Sequence, residues 1–134
     1  MSRILVDTSV WVDSLNARDL PHVWALKENL RNGNVCYCPT IVQEVLQGIK
    51  DDNAFQLVKE QFLELEIFTY DQLHVAIEAA ELYRLARKKG ITIRKPNDCI
   101  IAWYAIKNNV KLLHSDSDFD LIARYTKLKV VKLG

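Results

Sequence analysis

The sequence of residues 4–10 is Ile-Leu-Val-Asp-Thr-Ser-Val, a short apolar run that is followed at once by an acid and two hydroxyl residues. An apolar run this short is typical of a buried strand. Thr8 and Ser9 are residue types that cap helices, and they predict a helix that begins near Val10. The stretch therefore predicts a buried strand that passes directly into a helix, which is the first half of an α/β unit.

The rest of the chain repeats this alternation of short strands and helices. Further strands are predicted at residues 35–38, 66–69, 111–113 and 129–132. Helices are predicted at 22–31, 51–65, 73–90 and 119–125, and two more are expected to be capped by Thr40 and by Asn97. Strands separated by helices imply an α/β fold with a mostly parallel central sheet that helices flank on both faces.

Size and composition are those of an ordinary globular protein. The chain has 134 residues, of which 49% are hydrophobic and 26% are charged, so we expect one domain over residues 1–134. The apolar stretches are far shorter than the roughly 18 residues that a membrane span requires, and the first residues have no signal-peptide layout. The expected location is the cytoplasm, with no membrane partner.

Four acids lie beside apolar runs rather than on charged faces. Asp7 and Asp116 follow predicted strands, at the ends where open parallel sheets bind ligands, and Glu44 and Asp98 lie early in predicted helices. Carboxylates that converge repel one another and raise one another's pKa unless a cation neutralises them. We expect that cation to be Mg²⁺ or Mn²⁺, because hard divalent ions prefer oxygen ligands.

Helix capping is an alternative explanation for some of these acids taken singly. An Asp after a strand is a routine N-cap, which would account for Asp7 or Asp116 alone. Capping explains neither Glu44, which lies past the first residues of its helix, nor Asp98 at the start of a nearly all-apolar helix. The four acids together therefore favour a metal site.

Basic residues are concentrated in one segment, although the net charge is only +1. Setting the four acids aside as metal ligands leaves 13 acidic residues against 18 basic ones. Residues 84–95 contain six basic side chains and no acid, a pattern typical of phosphate-backbone contacts. The alternative is a solvated helix end whose cations suit the helix dipole. The candidates for phosphate contacts are Arg84, Arg87, Arg94 and Lys95.

The sequence around each acid resembles a known family. The segments are Asp-Thr-Ser after Ile-Leu-Val at 4–9, Ile-Val-Gln-Glu-Val-Leu-Gln-Gly at 41–48, Pro-Asn-Asp-Cys-Ile-Ile-Ala at 96–102 and Leu-Leu-His-Ser-Asp-Ser-Asp-Phe at 112–119. In this order and spacing they resemble the PIN-domain ribonucleases, and within them the VapC-type toxins of toxin–antitoxin pairs. The resemblance covers essentially the whole chain, and the Ser-Asp-Ser-Asp-Phe-Asp block at 115–120 is its most specific part.

The resemblance implies a PIN-like three-layer sandwich and a set of site residues. It implies a metal-binding acidic quartet, a Ser9 that helps to orient Asp7, and an Asp118 that supports the metal. It further implies an RNA substrate, a cognate antitoxin that holds the protein inactive, and pairing of two protomers into a homodimer. The quartet consists of Asp7, Glu44, Asp98 and Asp116.

The same function follows in part from the chemistry of the residues. Divalent ions lower the pKa of a bound water and neutralise charge at a phosphodiester, whereas bare carboxylates would repel it. A metal-free mechanism would need a histidine constellation. His22 and His74 are expected on the surface, and His114 is expected to be a strand-end residue rather than a base. Because metal-dependent hydrolysis needs no 2′-hydroxyl, the preference for RNA comes from the resemblance alone.

Two other classes of protein are compatible with part of the pattern. A haloacid-dehalogenase-type phosphohydrolase also has an Asp after its first strand, but it needs a second Asp two residues later, where this chain has Ser9. A non-catalytic PIN-like regulatory domain could use the acids to bind a structural ion or a basic peptide. Metal-dependent RNA cleavage that is lost in Asp7→Asn would separate the ribonuclease from both.

Large apolar residues cluster around the first two predicted helices. They exceed what one helical hairpin at the edge of a small sheet is expected to bury, so an antitoxin helix is expected to cover them. The alternative is that the tryptophans are ordinary core residues. The cluster consists of Trp11, Val12, Leu15, Leu20, Val23 and Trp24.

Overall fold

The computed structural model describes residues 2–133, and within them four strands alternate with seven helices. The strands are β1 (Ile4–Val6), β2 (Val35–Tyr37), β3 (Glu66–Ile67) and β4 (Lys111–Leu113). The helices are α1 (Thr8–Leu15), α2 (Pro21–Arg31), α3 (Pro39–Gln47), α4 (Asp52–Leu63), α5 (Gln72–Lys88), α6 (Asn97–Lys107) and α7 (Ser117–Tyr125).

The strands form one parallel sheet in the order β3-β2-β1-β4. Ile4 of β1 lies opposite Val35 of β2 on one side and Lys111 of β4 on the other. Every residue of β1 and β2 is buried, and successive side chains of a strand point to opposite faces. Both faces of the sheet are therefore covered, which confirms the predicted α/β fold with a parallel central sheet.

The predicted strand at residues 129–132 is wrong. Only Val130 of this segment pairs, in an isolated parallel bridge to Leu112. The Leu112 amide donates to the Lys129 carbonyl, and the Leu112 carbonyl accepts from the Val131 amide, each at 2.9 Å. The alternating sequence signals β propensity, but the length of a ladder depends on the partner strand, and β4 has three residues. Similarly, the strand predicted at 66–69 is limited to Glu66–Ile67.

Three helix starts also differ from the predicted ones. Asp7 caps α1, so the helix begins at Thr8. Helix α3 begins at Pro39, whose missing N–H needs no acceptor, so Thr40 is inside the helix and does not cap it. Asn97 is the first residue of α6 rather than its cap, which frees its side chain for another contact.

Helix α6 lies at the centre of the molecule, as its nearly all-apolar sequence predicts. Most of its residues are buried, from Asp98 and Cys99 through to Ala105. It packs against α3, α5, α7 and β4. Because Asp98 lies in its first turn, the packing that buries this helix also buries that carboxylate. Among the described residues, no helix combines the length and the apolar character that crossing a bilayer demands.

Candidate active site

A cavity of about 330 Å³ opens beyond the carboxyl ends of β1 and β4. This is the edge of a parallel sheet where ligand sites are expected. Three of the four predicted acids line it, and so do residues of the turns after β1 and β4. The lining residues are Asp7, Thr8, Ser9, Val12, Asp13, Glu44, Lys95, Asp98 and Ser115.

Asp7 is fixed by the turn between β1 and α1. Its amide donates to the carbonyl of Leu113 on β4 at 2.9 Å, and its Oδ2 accepts from the amide and the hydroxyl of Ser9 at 3.0 and 2.6 Å. The Ser9 hydroxyl oxygen also accepts from the amide of Ser115. Ser9 therefore joins the turns that follow the two central strands. Burial raises the pKa of Asp7, and repulsion from nearby Glu44 raises it further. The Ser9 hydrogen bonds act in the opposite direction and lower it.

Glu44 projects from α3 and is held by two side chains from other elements. Its Oε1 accepts from the Thr8 hydroxyl at 2.6 Å, and its Oε2 accepts from the Asn97 amide at 3.3 Å. Sequence reasoning assigned Thr8 and Asn97 only to helix capping and missed this contact. The available signal was their position, since each directly neighbours a predicted acid, Asp7 or Asp98.

Asp98 is a buried carboxylate that the surrounding protein leaves partly unsatisfied. It is 4% exposed, and its Oδ2 is buried without a hydrogen-bond partner among the described residues. Burial, followed by repulsion from Asp7 and Asp116, raises its pKa from 3.8 to about 7. A buried, unpartnered carboxylate oxygen requires either a proton or a cation.

Asp116 and Asp118 complete the acidic cluster. Asp116 caps α7 and accepts from the Asp118 amide at 3.0 Å. Carboxylate oxygens of Asp98, Asp116 and Asp118 lie within 4.8 Å of one another, close enough to share one metal ion. Asp118, which was expected only to support the site, is thus one of the three acids that lie closest together. Asp7 and Glu44 lie outside this trio but line the same cavity as Asp98.

The donor set fits a hard divalent cation. It consists of carboxylate oxygens, which such ions prefer, and four of the five acids are buried. The unpartnered Oδ2 of Asp98 gives a specific reason for a cation, because no described residue satisfies it. The capping alternative is also resolved: Asp7 and Asp116 do cap helices, and the same turns bring them to the cluster.

Two of the four predicted phosphate-binding residues, Arg94 and Lys95, form ion pairs with the acidic cluster. Arg94 donates to Asp116 Oδ1 and Asp118 Oδ2, each at 3.3 Å, and Lys95 donates to Asp116 Oδ2 at 3.2 Å. Burial opposes ionisation of Asp116, but the Asp118 amide and then Lys95 outweigh it and hold its pKa below the usual value. The same ion pairing raises the pKa of the Arg94 guanidinium, chiefly through its hydrogen bond to Asp118.

The other two cations lie on a separate groove. Arg84 and Arg87 project from the end of α5 and line a cavity of about 470 Å³ together with Tyr83, Asn97 and Ile100. The guanidinium of Arg87 lies over the Tyr83 ring, 5.3 Å from its centroid. The basic segment is therefore divided between this groove and the acidic cluster, which its continuous sequence did not indicate.

None of the three histidines is placed as a general base at the cluster. His114 Nδ1 accepts from the Asp116 amide, and Nε2 lies 3.1 Å from Asp120, so its ring supports the strand end as predicted. His74 is exposed, also as predicted. The surface prediction for His22 is wrong: it is partly buried and bonds Asp13 at 2.6 Å, because α1 and α2 pack together.

The apolar cluster of the first two helices is divided between core and surface. Trp11 is 3% exposed and packs against Phe62, whereas Trp24 is 55% exposed. Val23 is buried like Trp11, while Val12 and Leu15 are 40% and 45% exposed. The core interpretation therefore holds for one tryptophan and not for the other.

Comparison with known proteins identifies relatives along almost the whole chain. Residues 4–125 match the model of the PIN domain family. Ribonuclease VapC11 of Mycobacterium tuberculosis is 35% identical over 128 residues, which cover 94% of this chain and 96% of that protein. A VapC ribonuclease of Mycobacterium bovis matches to the same extent.

Several solved structures share the fold of this chain. VapBC2 from Rickettsia felis, bound to a DNA fragment from its promoter, aligns with a TM-score of 0.73 at 22% identity and covers 96% of both chains. FitAcB from Neisseria gonorrhoeae aligns with a TM-score of 0.68 at 19% identity, again over 96% of both chains. At these identities the likeness concerns the fold.

Proposed function

The chain belongs to the PIN-domain family and, within it, to the VapC family, and from this premise we propose that it is a divalent-metal-dependent endoribonuclease, the toxin of a toxin–antitoxin pair. The observation that carries the proposal is the buried carboxylate cluster beyond β1 and β4, in which Asp98 Oδ2 has no partner among the described residues. A purely structural acid in a core would be hydrogen-bonded.

The proposed metal is Mg²⁺ or Mn²⁺, held by the acidic quartet with Asp118. When bound, such an ion lowers the pKa of a water molecule and neutralises charge on a phosphodiester. The protein's own contribution is orientation. Ser9 fixes Asp7 through two hydrogen bonds, and Thr8 and Asn97 fix the two oxygens of Glu44, so neither carboxylate must be ordered when substrate arrives.

RNA is the proposed substrate, in keeping with the names of the VapC relatives. Arg84 and Arg87 are exposed and lie on a groove that also contains Asn97, which bonds the Glu44 carboxylate of the acidic cavity. Guanidinium groups in such a position would neutralise backbone phosphates next to the cluster. We therefore assign these two arginines to RNA binding.

The test is cleavage of RNA by the purified protein with and without Mg²⁺ or Mn²⁺. Asp7→Asn and Asp98→Asn should each abolish cleavage, whereas Asp52→Asn, an exposed acid on α4, should leave it unchanged. Hydrolysis by activated water should leave 5′-phosphate ends. Metal binding without any cleavage in the wild type would indicate the non-catalytic regulatory domain instead.

The proposed antitoxin surface lies beside the acidic cavity. Val12, which lines that cavity, also lines a groove of about 440 Å³ with Leu15, Gly48, Ile49 and Ala54. Val12 and Leu15 are partly exposed, and Trp24 on the neighbouring α2 is more than half exposed. An apolar helix of the antitoxin would cover these side chains and, at the Val12 end, would reach the carboxylates.

A second apolar face is the proposed homodimer contact. Leu73 and Ile77 lie one helical turn apart on α5, and their side chains are exposed. Gel filtration coupled to light scattering should give the mass of a dimer, and Ile77→Glu should shift it to that of a monomer. We propose that this assembly acts in the cytoplasm.

A further inference from the structure

We propose that Arg94 and Lys95 form an internal counter-ion that competes with the metal for the carboxylates of Asp116 and Asp118. In this proposal the two cations are bound to the protein's own acids in the metal-free state, and they become available to RNA phosphates only when a metal ion replaces them. The proposal rests on the proposed metal-dependent ribonuclease function.

The first observation is that the two cations occupy the oxygens that a metal would need. Arg94 contacts Oδ1 of Asp116 and Oδ2 of Asp118, and Lys95 contacts Oδ2 of Asp116. Both oxygens of Asp116 are therefore engaged by cationic side chains. Asp116 and Asp118 belong to the trio whose oxygens lie within 4.8 Å of one another. An ion shared by that trio would have to bind an oxygen of Asp116 that one of the two cations already contacts.

The second observation is an asymmetry of burial. The carboxylates of Asp116 and Asp118 are almost completely buried, whereas the side chains of Arg94 and Lys95 are 66% and 63% exposed. The acids are fixed by the first turn of α7. The backbone amide of Arg94 also donates to Asp118 Oδ2 at 3.2 Å, so it is the charged ends of Arg94 and Lys95 that are held by the ion pairs alone. The exposed cations can therefore leave for solvent while the acids stay in place, provided that the metal ion neutralises the buried carboxylates that they leave.

The third observation is that neither cation contacts the third acid of the trio, Asp98. Asp98 belongs to the same trio, yet its Oδ2 has no partner among the described residues, since neither Arg94 nor Lys95 bonds it. The internal cations thus form direct ion pairs with two of the three acids and not with the third. A divalent ion at the trio would satisfy all three, which is why it is expected to displace the cations rather than to add to them.

Displacement would couple metal binding to RNA binding. Two cations released beside the acidic cavity would raise its affinity for phosphate, and by linkage any competition between them and the metal is reciprocal. The coupling predicts that removing the cations tightens metal binding. It also predicts that their contribution to RNA binding is absent when metal is absent.

The first experiment measures Mn²⁺ binding by calorimetry to the full chain after removal of metal with EDTA. Arg94→Gln, Lys95→Gln and the double variant should bind Mn²⁺ about three- to tenfold more tightly than the wild type, or about 0.7–1.4 kcal/mol. Arg87→Gln is the matched control, because it removes a nearby exposed cation that contacts no acid of the cluster. Unchanged or weaker Mn²⁺ binding, or an equal gain in the control, would overturn the competition.

The second experiment measures binding of a single-stranded RNA oligonucleotide in EDTA as a function of salt. The double variant and the wild type should have the same slope of log affinity against log salt, because the two cations are already bound by Asp116 and Asp118. Arg87→Gln should flatten the line, reducing the magnitude of its slope by about 0.7, as expected for one phosphate contact on a single strand. A loss of about 1.4 in the double variant, twice that for one contact, would show that Arg94 and Lys95 are free for RNA without metal, contrary to the proposal.

Both readouts are binding measurements, so they remain informative if the protein cleaves no RNA. A failure of the ribonuclease proposal would appear as intact RNA in the presence of metal. Arg94→Lys keeps the positive charge but replaces the planar guanidinium, which contacts two acids at once, by a single ammonium group. It should therefore give an Mn²⁺ affinity between those of the wild type and Arg94→Gln. Thermal melts in EDTA should show that all variants are folded.

Discussion

Replacing Asp98 by Asn should stabilise the metal-free protein at alkaline pH, even though the residue is buried in the central helix. The substitution keeps the shape of the side chain and removes its charge. In the wild type, burial and the neighbouring acids raise the pKa of Asp98 from 3.8 to about 7. At pH 8 the folded protein must therefore keep a charge that its surroundings disfavour, and the neutral amide of the Asp98→Asn variant would not carry that charge.

The expected size of the effect follows from proton linkage. A carboxyl pKa that rises from 3.8 to about 7 on folding lowers the free energy of unfolding by at most about 4 kcal/mol once the pH is well above 7. A buried Asn amide without a partner costs about 1–3 kcal/mol. The net gain of Asp98→Asn is then about 1–3 kcal/mol, or about 3–10 °C in Tm for a chain of this size.

The sign of the effect changes with pH. Because the folded pKa of Asp98 is raised, the wild type gains stability from this group as the pH falls from about 7 towards 3.8, where the group becomes protonated in both states. Melting temperatures in EDTA should therefore favour Asp98→Asn at pH 8 and lose that preference near pH 5. Asp52→Asn, which alters an exposed acid, should show no such change.

Metal should reverse the order of stability at pH 8. A ligand at about 1,000 times its dissociation constant stabilises the native state by about 4.1 kcal/mol, and the wild type should gain this from Mg²⁺ or Mn²⁺. Asp98→Asn should gain much less. The reasoning is refuted if Asp98→Asn is less stable than the wild type by more than about 1 kcal/mol at pH 8 in EDTA, a loss as large as one unsatisfied buried amide, or if the difference does not depend on pH.

Three further predictions concern the surroundings of the cluster. Thr8→Val should lower kcat about 10- to 100-fold, because Glu44 loses the hydroxyl that orients it, while Thr8→Ser retains activity; equal kcat for both would exclude this role. Replacing Arg84 and Arg87 with Ala should flatten the salt dependence of RNA binding, and an unchanged slope would mean a solvated helix end. Trp24→Glu should leave ribonuclease activity intact and abolish inhibition by the antitoxin; unfolding in a thermal melt would instead make Trp24 a core residue.

Much of the fold and of the acidic cluster is determined locally. The buried strand of residues 4–6, the helices and the parallel sheet follow from short apolar runs and their spacing, because a strand and its crossover helix leave few ways to pack. Asp7 and Asp116 lie at the same edge of the sheet because they follow adjacent parallel strands. The sequence also determined that Asp98 is buried, since it begins an almost entirely apolar helix.

Tertiary structure alone decided which groups meet across the chain. Arg94 and Lys95 belong to one basic segment with Arg87, but only the turn of the backbone before α6 brings them to Asp116 and away from the groove of α5. The contact of Thr8 with Glu44 spans 36 residues, and nothing local specifies it. In the same way, Trp11 is core and Trp24 is surface because burial depends on what packs against a helix face. Which side chains become partners in this way depends on how far apart the helices and strands lie in the folded protein. A sequence pattern gives only the spacing of residues within one helix or strand.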